Sequence, residues 1–371
     1  MDSIRFIPLE VKDGVELSAY NNSVEVTKNY FLVKNNLDKV VMLYAKDGRF
    51  IKKINYKKLG KEFYPAYDEH NNQLVFWAAN KNYTLTPRDR IKIMLDWNNP
   101  RNKKYYKKYV IDLDDTSFVI KKESPQQNDI IRANYFYDDL YWQSQINTSE
   151  LYKDSLGYEL KIYKDNQLEK GFFPYNHISE NRFLYSEENV SINRTDVPNI
   201  NLITRPYCDT IYKMIGDSLF PAYQLVLPLE NSLPPSFFSK PFKNKADFEN
   251  FKRNNGYMLR QIFSVYETPQ FIYFLVSYFS NYEYYVYNKQ NKITYKAKNI
   301  KPDTSHYNLQ VLADLGTSRK GDRFYKSQKA GDLIAFFEKN KNVKVPGELE
   351  SFLKSNPPAA TAVILEFKLK N

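Results

Sequence analysis

The feature that most constrains this chain is a pair of short apolar runs joined by Asp-Gly. Residues 40–44 (VVMLY) and 49–54 (RFIKKI) flank Lys46-Asp47-Gly48, and residues 30–33 (YFLV) come just before. A tight hairpin turn needs positive φ at its central positions, which Asp-Gly supplies, so this spacing predicts a three-stranded meander within about 25 residues. The pattern then recurs along the chain. Strands are expected at 4–9, 73–77, 90–95, 130–135, 140–143, 158–163, 167–173, 182–186, 200–204, 210–215 and 219–227. Four more come in series at 262–266, 271–279, 282–287 and 292–296, and an apolar strand at 362–369 closes the chain. Aromatic residues make up 16% of the sequence, with Tyr 32 and Phe 25, and both types favour strands.

Helices are expected only as insertions, at 245–254, 330–340 and 347–355. Strand and helix do not alternate regularly, which argues against a parallel α/β sheet. Meanders repeated about every 60 residues predict four-stranded blades stacked radially, since no single sheet buries both its faces alone. The expected fold class is therefore all-β: a six-bladed β-propeller in one domain spanning 1–371. The strands at 4–9 and 362–369 are expected to close it and remove exposed edges. A β-sandwich or a pair of β-domains is the alternative.

Residues 30–54 resemble one NHL-type propeller blade, in which a strand ending near Tyr44 is followed by Asp47-Gly48 and Arg49-Phe50-Ile51. Asp209-Thr210-Ile211-Tyr212 with Asp217 to Tyr223, the opening Phe6-Ile7-Pro8-Leu9-Glu10 and the closing Val363 to Leu369 are similar to one group. That group is the six-bladed propeller proteins of Bacteroides-type bacteria, mostly exported lipoproteins of uncharacterised function. The resemblance spans nearly the whole chain. It implies a six-bladed fold, residence in the periplasm, outer membrane or cell surface, and no catalytic residues. This chain lacks the N-terminal cysteine that would be lipidated, its only cysteine being Cys208, so the expectation is a form from which the signal has been removed. Any membrane association is expected only through that lipid anchor. Many members carry a Gly-rich stretch after the first blade; here it is reduced to residues 58–64 (KLGKEFY).

Chemistry-bearing motifs each have a plain structural reading beside the functional one. Gly216-Asp217-Ser218-Leu219 spells the nucleophile block of GDSL-type esterases, and Asp303-Thr304-Ser305-His306 supplies a D-x-x-H downstream. The block sits between two strand-like runs, however, where Gly-Asp is ordinary turn chemistry. Asp112, Asp114 and Asp115, then Asp138 and Asp139, are carboxylate clusters with the composition of solvated turns. Residues 103–109 (KKYYKKY) interleave cations with aromatics, a pattern suited to phosphate and base contacts, to an acidic polysaccharide, or to a lysine-protected strand edge. The net charge of +11 is spread along the chain, so no nucleic-acid partner is expected. Three histidines and one cysteine leave little for a metal centre, and Gly 11 leaves no glycine-rich phosphate loop, so neither metal nor cofactor is expected.

Trp77, Tyr141 and Trp142, at strand ends beside polar loops, are the candidate ligand-binding residues, as platforms against sugar faces. The competing reading is that they fill the wedges between blades. The functional expectation is a monomeric, non-enzymatic binding or scaffold module at the cell envelope, taking a glycan or an envelope protein. A polysaccharide hydrolase or lyase is the rival, signalled by carboxylates, arginine and tyrosine converging at one place.

Overall fold

The computed structural model describes residues 4–11, 22–35, 38–59, 65–69, 71–84, 86–89, 100–125, 135–137, 140–143, 156–164, 167–176, 178–182, 188–195, 197, 199–302, 307–309, 311, 318–320 and 323–368. They form six four-stranded antiparallel sheets. After β1 (Ile4–Pro8) come β2 (Asn22–Val26), β3 (Tyr30–Asn35), β4 (Val40–Ala45) and β5 (Phe50–Asn55). The next meander is β6 (Ala66–Asp68), β7 (Gln73–Ala79), β8 (Tyr106–Asp112) and β9 (Lys121–Glu123). The third is β10 (Tyr135–Tyr137), β11 (Leu140–Gln143), β12 (Leu156–Lys164) and β13 (Gln167–Asn176). The fourth is β14 (Ser191–Arg194), β15 (Ile200–Thr204), β16 (Thr210–Ile215) and β17 (Ser218–Gln224). Helices α1 (Pro235–Ser239) and α2 (Lys245–Asn254) precede the fifth, β18 (Leu259–Glu267), β19 (Phe271–Tyr278), β20 (Tyr282–Asn288) and β21 (Ile293–Lys296). The chain ends with β22 (Ser318–Lys320), β23 (Arg323–Lys329), α3 (Ala330–Lys339), α4 (Gly347–Lys354) and β24 (Ala362–Lys368).

The chain divides into two compact units. One holds residues 1–84, 103–125 and 300–370; the other is built from 85–102 and 126–299. In the first unit β24 lies between β1 and β23, with Ile4 opposite Phe367 and Pro8 opposite Val363. Six of the seven β24 residues are buried; five of them are apolar, since both faces of the strand are covered, and the sixth, Glu366, is paired with Arg323. Ile7, Phe31, Met42 and Ile364 join one core cluster between this sheet and β2–β5, and Leu32, Leu43, Phe76 and Ile111 join the next, between β2–β5 and β6–β9. Alternation along β3 sends Phe31 and Val33 one way and Leu32 the other, which wedges the sheet between two neighbours.

The second unit repeats this logic. Leu160, Ile162, Ile203 and Met214 pack between the β10–β13 and β14–β17 sheets, while Leu202, Ile211, Ile262 and Phe274 pack between β14–β17 and β18–β21. Polar stitches bind the last two sheets. The Thr204 hydroxyl donates to the Ile262 carbonyl at 2.6 Å, and the Val265 amide donates to Asn193 Oδ1 at 2.9 Å. Helices α1 and α2 bring Phe237 and Phe248 onto Tyr175 and Tyr207, a separate aromatic cluster. Asn244 caps α2 by accepting from the Asp247 amide, which fixes where that helix starts.

Several expected strands differ from the structure. The expected strand at 90–95 lies outside the described residues, and β7 pairs with β8, a central strand of its sheet. Residues 87–89 are helical, with the Thr86 hydroxyl and Asp89 bonded to each other as at a helix start. Of 130–135 only Tyr135 is described as strand, and Arg182 is not strand, the rest of 182–186 lying outside the described residues.

The two Asp-Gly-type turns test what glycine does here. Gly48 sits at φ +91, and a Cβ there would come within 2.1 Å of the Pro8 carbonyl oxygen, since the turn docks on the chain's first strand. Gly216 sits at φ +58 with open space around it. Gly216→Ala is therefore expected to lose about 1 kcal/mol, from backbone conformation alone. Gly48→Ala is expected to lose clearly more, read as a larger drop in the urea midpoint. Equal drops would show that the contact with Pro8 does not matter.

Candidate functional site

A groove lies in the second unit, between the outer part of the β14–β17 sheet and β19–β21. It encloses about 770 Å³. Alternation again explains the lining. Ile272, Phe274, Val276 and Tyr278 share one face of β19, and their cross-strand partners Tyr285 and Tyr287 extend that face onto β20. Tyr273 and Tyr284 point the other way and are buried. The opposite wall is Tyr223, Gln224 and the segment leaving β17, where Val226 and Leu229 stand 96% and 92% exposed. Asn231 and Lys296 complete the polar lining with Glu230.

The tyrosines are held in place by their hydroxyls. Tyr278 and Tyr285 share a hydrogen bond of 3.2 Å, and the Tyr285 ring stacks on Phe274 with centroids 5.6 Å apart. Burial and that shared bond raise the Tyr278 pKa. The Tyr223 hydroxyl donates to the Glu267 carboxylate, which also receives Lys289 at 2.6 Å and Lys213 at 3.2 Å. Burial opposes ionisation of Glu267, but Lys289, Tyr223 and Lys213 together hold its pKa below the usual value. Glu283 is gripped in the same way by Lys296 at 3.2 Å and Lys298 at 2.8 Å; burial again opposes, and the two ammonium groups win.

A second polar cluster lies beneath α1 in the same unit. Glu159 on β12 has a side chain with no exposure and is bonded twice by the Arg205 guanidinium, which stacks over Phe173 at 4.5 Å. Arg182 pairs with Glu180 at 2.7 Å and lies over Phe237 and Phe238, while Arg260 pairs with Glu188. The Cys208 thiol lies 3.8 Å from the Tyr212 hydroxyl. This is the mix of carboxylate, arginine and tyrosine that would suit a hydrolase or lyase. Its central acid, however, is fully buried and already engaged by an arginine.

The sequence-derived candidates fall elsewhere. Trp77 is only 7% exposed, so its ring is packed inside the first unit and presents no open face to a sugar. Tyr141 and Trp142 lie on β11 of the second unit, their side chains outside the described residues. The three are thus not gathered on one unit. Ser218 bonds Asp217 at 3.1 Å in the β16–β17 turn, where Asp217 also takes Lys170; residues 303–306, with His306, lie outside the described residues. Asp112 and Asp115 accept from backbone amides two residues on, and Asp114 accepts from Asn72 at 2.8 Å, so these carboxylates shape turns. Asp138 and Asp139 lie outside the described residues, among which no three His, Cys, Asp or Glu side chains converge. In the 103–109 stretch residues 103–105 end a 3-10 helix and 106–109 open β8, an inner strand of its sheet rather than an edge; Lys103 and Tyr106 are buried and Lys108 pairs with Glu123 at 3.1 Å. No helix among the described residues is long and apolar enough to cross a membrane.

Residues 1–67 match the family model DUF5128, described as a 6-bladed beta-propeller. A protein of Bacteroides fragilis NCTC 9343, described as exported, has a similar structure over 100% of this chain and 95% of its own, at 15% identity and TM-score 0.55. The fold is a six-bladed β-propeller. A DUF4221 member from Bacteroides vulgatus ATCC 8482 aligns over 100% of this chain and 97% of its own, at 11% identity and TM-score 0.46. No curated protein matches the chain. The six sheets of the propeller are its blades, and the groove lies between the blades β14–β17 and β18–β21. Sequence reading missed the groove because its lining comes from five strands and the segment that follows β17. The available signal was the tyrosine-rich pairing of 271–279 with 282–287.

Burial pushes the Glu159 carboxyl up to about 7, against the pull of Arg205. A carboxyl whose folded pKa is raised holds its proton more tightly when folded, so its contribution to stability falls as pH rises from about 4.5 to about 7, and is flat above. Glu159→Gln is expected to flatten the pH dependence of the melting temperature across that window. An unchanged slope in the variant would show that other groups set it.

Proposed function

We propose that this propeller is an extracytoplasmic binding module that seats an oligosaccharide in the tyrosine-lined groove. The observation that carries the reading is the combination of Tyr223, Tyr278, Tyr285 and Tyr287 with Gln224 and Asn231 in one cleft of about 770 Å³. Ring faces suit the C–H faces of sugars, and amides and hydroxyls suit sugar hydroxyls, so the cleft offers both kinds of contact on fixed strands. Pre-set hydroxyls, such as the Tyr278–Tyr285 pair, reduce the ordering that binding would otherwise require. The extracytoplasmic location draws support from the sequence resemblance and from the exported Bacteroides fragilis protein of similar fold.

A hydrolase or lyase reading draws on the Glu159, Arg205 and Tyr212 cluster. Against it stands the burial of Glu159, which leaves no surface for a reacting sugar. Binding without turnover is therefore the stronger reading.

The test is a glycan panel, neutral and acidic, read by thermal shift, since a ligand of the folded state raises its melting temperature. Tyr287→Ala is expected to weaken binding of the responding glycan about tenfold, as for a central aromatic anchor. Trp77→Phe, a buried change in the other unit, is expected to leave affinity unaltered. Loss of binding in the tryptophan variant but not the tyrosine variant would move the site out of the groove. Reducing ends appearing during incubation would favour the hydrolase.

A further inference from the structure

Side-chain bonds cross the groove at both ends of its floor. That floor is one face of β19 from Ile272 to Tyr278, with Tyr285 and Tyr287 beside it on β20. The wall opposite runs from Tyr223 on β17 through residues 224–228 to Asn231. Floor and wall belong to neighbouring blades, so a bond from one to the other spans the gap between them.

At the Ile272 end the span is made by Glu267, the cross-strand partner of Ile272 on β18. Its carboxylate accepts from the Tyr223 hydroxyl and pairs with Lys213 at 3.2 Å, and both of these partners come from the β14–β17 blade. Lys289, from the blade of Glu267 itself, pairs with it at 2.6 Å and lies over the Tyr223 ring at 5.8 Å. At the other end Leu259 lies opposite Tyr278, and the Phe279 and Ser280 amides donate to the Met258 and Gly256 carbonyls. Tyr257 therefore stands just past the end of the floor. The Asn231 side-chain amide donates to the Tyr257 carbonyl at 2.7 Å, from the short 3-10 helix Leu229–Asn231 that ends the wall. From Ile272 to Tyr278 the floor between the two ties is about 20 Å long at the rise of an antiparallel strand.

We infer that the groove is a slot bounded at both ends, which takes a short oligosaccharide whole and rejects the interior of a polysaccharide. This deepens the glycan reading and rests on it. A polymer held along its length needs a cleft open at both ends, so that the chain can run on. Here Glu267 with Tyr223 and Lys213 bars one end, and Asn231 with the Tyr257 backbone bars the other. Each added sugar ring then gains contact only until the floor is filled, and further rings meet a tie. A volume of about 770 Å³ is that of a pocket enclosing most of a small ligand. The ties also hold the two blades at a fixed separation before a ligand arrives, which spares the ordering that a loose cleft would need on closing.

The experiment uses the full chain and calorimetry, with malto-, xylo- and manno-oligosaccharides as dimer, tetramer and octamer and with soluble amylose and xylan. The tetramer of the series that binds is expected to bind at least about tenfold more tightly than its dimer, its octamer or its polymer. Tyr223→Phe and Lys213→Met combined in one chain remove the tie across the blades and leave Glu267 paired with Lys289. This variant is expected to keep the parent melting temperature, since exposed ion pairs add little, and to bind octamer and tetramer within about threefold of each other. An octamer or polymer that binds the parent as tightly as the tetramer would overturn the bounded slot and leave the glycan reading standing. A variant that folds and still rejects the octamer would overturn the part given to Glu267. No binding by any of the three series would overturn both readings.

Discussion

The pairing of β1 with β24 is the contact on which the first unit depends. It sets Ile4 against Phe367, residues from opposite ends of the chain, and makes one sheet from one N-terminal and three C-terminal strands. Without β1, the buried strand β24 would expose a row of backbone donors and acceptors and become a template for other chains. The pairing also anchors the residues just past β1: the Leu9 amide donates to the Ala362 carbonyl, and the Glu10 amide to the carbonyl of Gly48 in the next blade's turn. The Phe6 amide is received by Glu348 on α4, so the helical insertion is fastened to the same strand. Contacts of this sequence separation form late and slowly, because the loop between them must be closed first. The blades that depend only on local hairpins do not share that delay.

Packing between blades obeys a rule clearest in β4 and β24. A strand inside a blade is buried on both faces, so its apolar residues run continuously rather than alternating with polar ones. Residues 40–44 and 362–367 read that way and are buried throughout. Outer strands behave differently: β21 is exposed along its whole length, and β17 is only partly covered. The groove opens where these less covered strands leave the faces of β19 and β20 incompletely roofed.

This division explains what the sequence discloses. The inner strand 200–204 is legible to the residue, since its burial demands a dense apolar run; 210–215 is less covered and is marked instead by the Gly216-Asp217 turn that ends it. Outer and short strands, β6, β9, β14 and β22, carry mixed composition such as Lys121-Lys122-Glu123 and leave no periodic trace. That 103–109 leaves open a basic patch or a strand edge has a similar cause. Lys108 is paired across strands with Glu123 on β9, and that partner is invisible in local spacing. The Trp77 ring is packed rather than open, because burying so large a ring is worth more than leaving it in water. The groove tyrosines differ, since the hydroxyl keeps one end of each ring at the polar boundary of the cleft.

The same boundary accounts for the lysine clusters. A half-buried carboxylate such as Glu267 is costly to ionise unless paired, and two ammonium groups with a tyrosine hydroxyl more than meet that cost, holding the acid charged. Surface ion pairs of this kind add little to stability. Their consequence lies in what they fix: Glu267 and Glu283 hold lysines near the two ends of an uncharged aromatic floor. Register is a discrete quantity, and slipping β20 by one residue would turn Tyr285, Tyr287 and Glu283 to the opposite face together. The spacing of charge and ring is therefore as rigid as the blade itself.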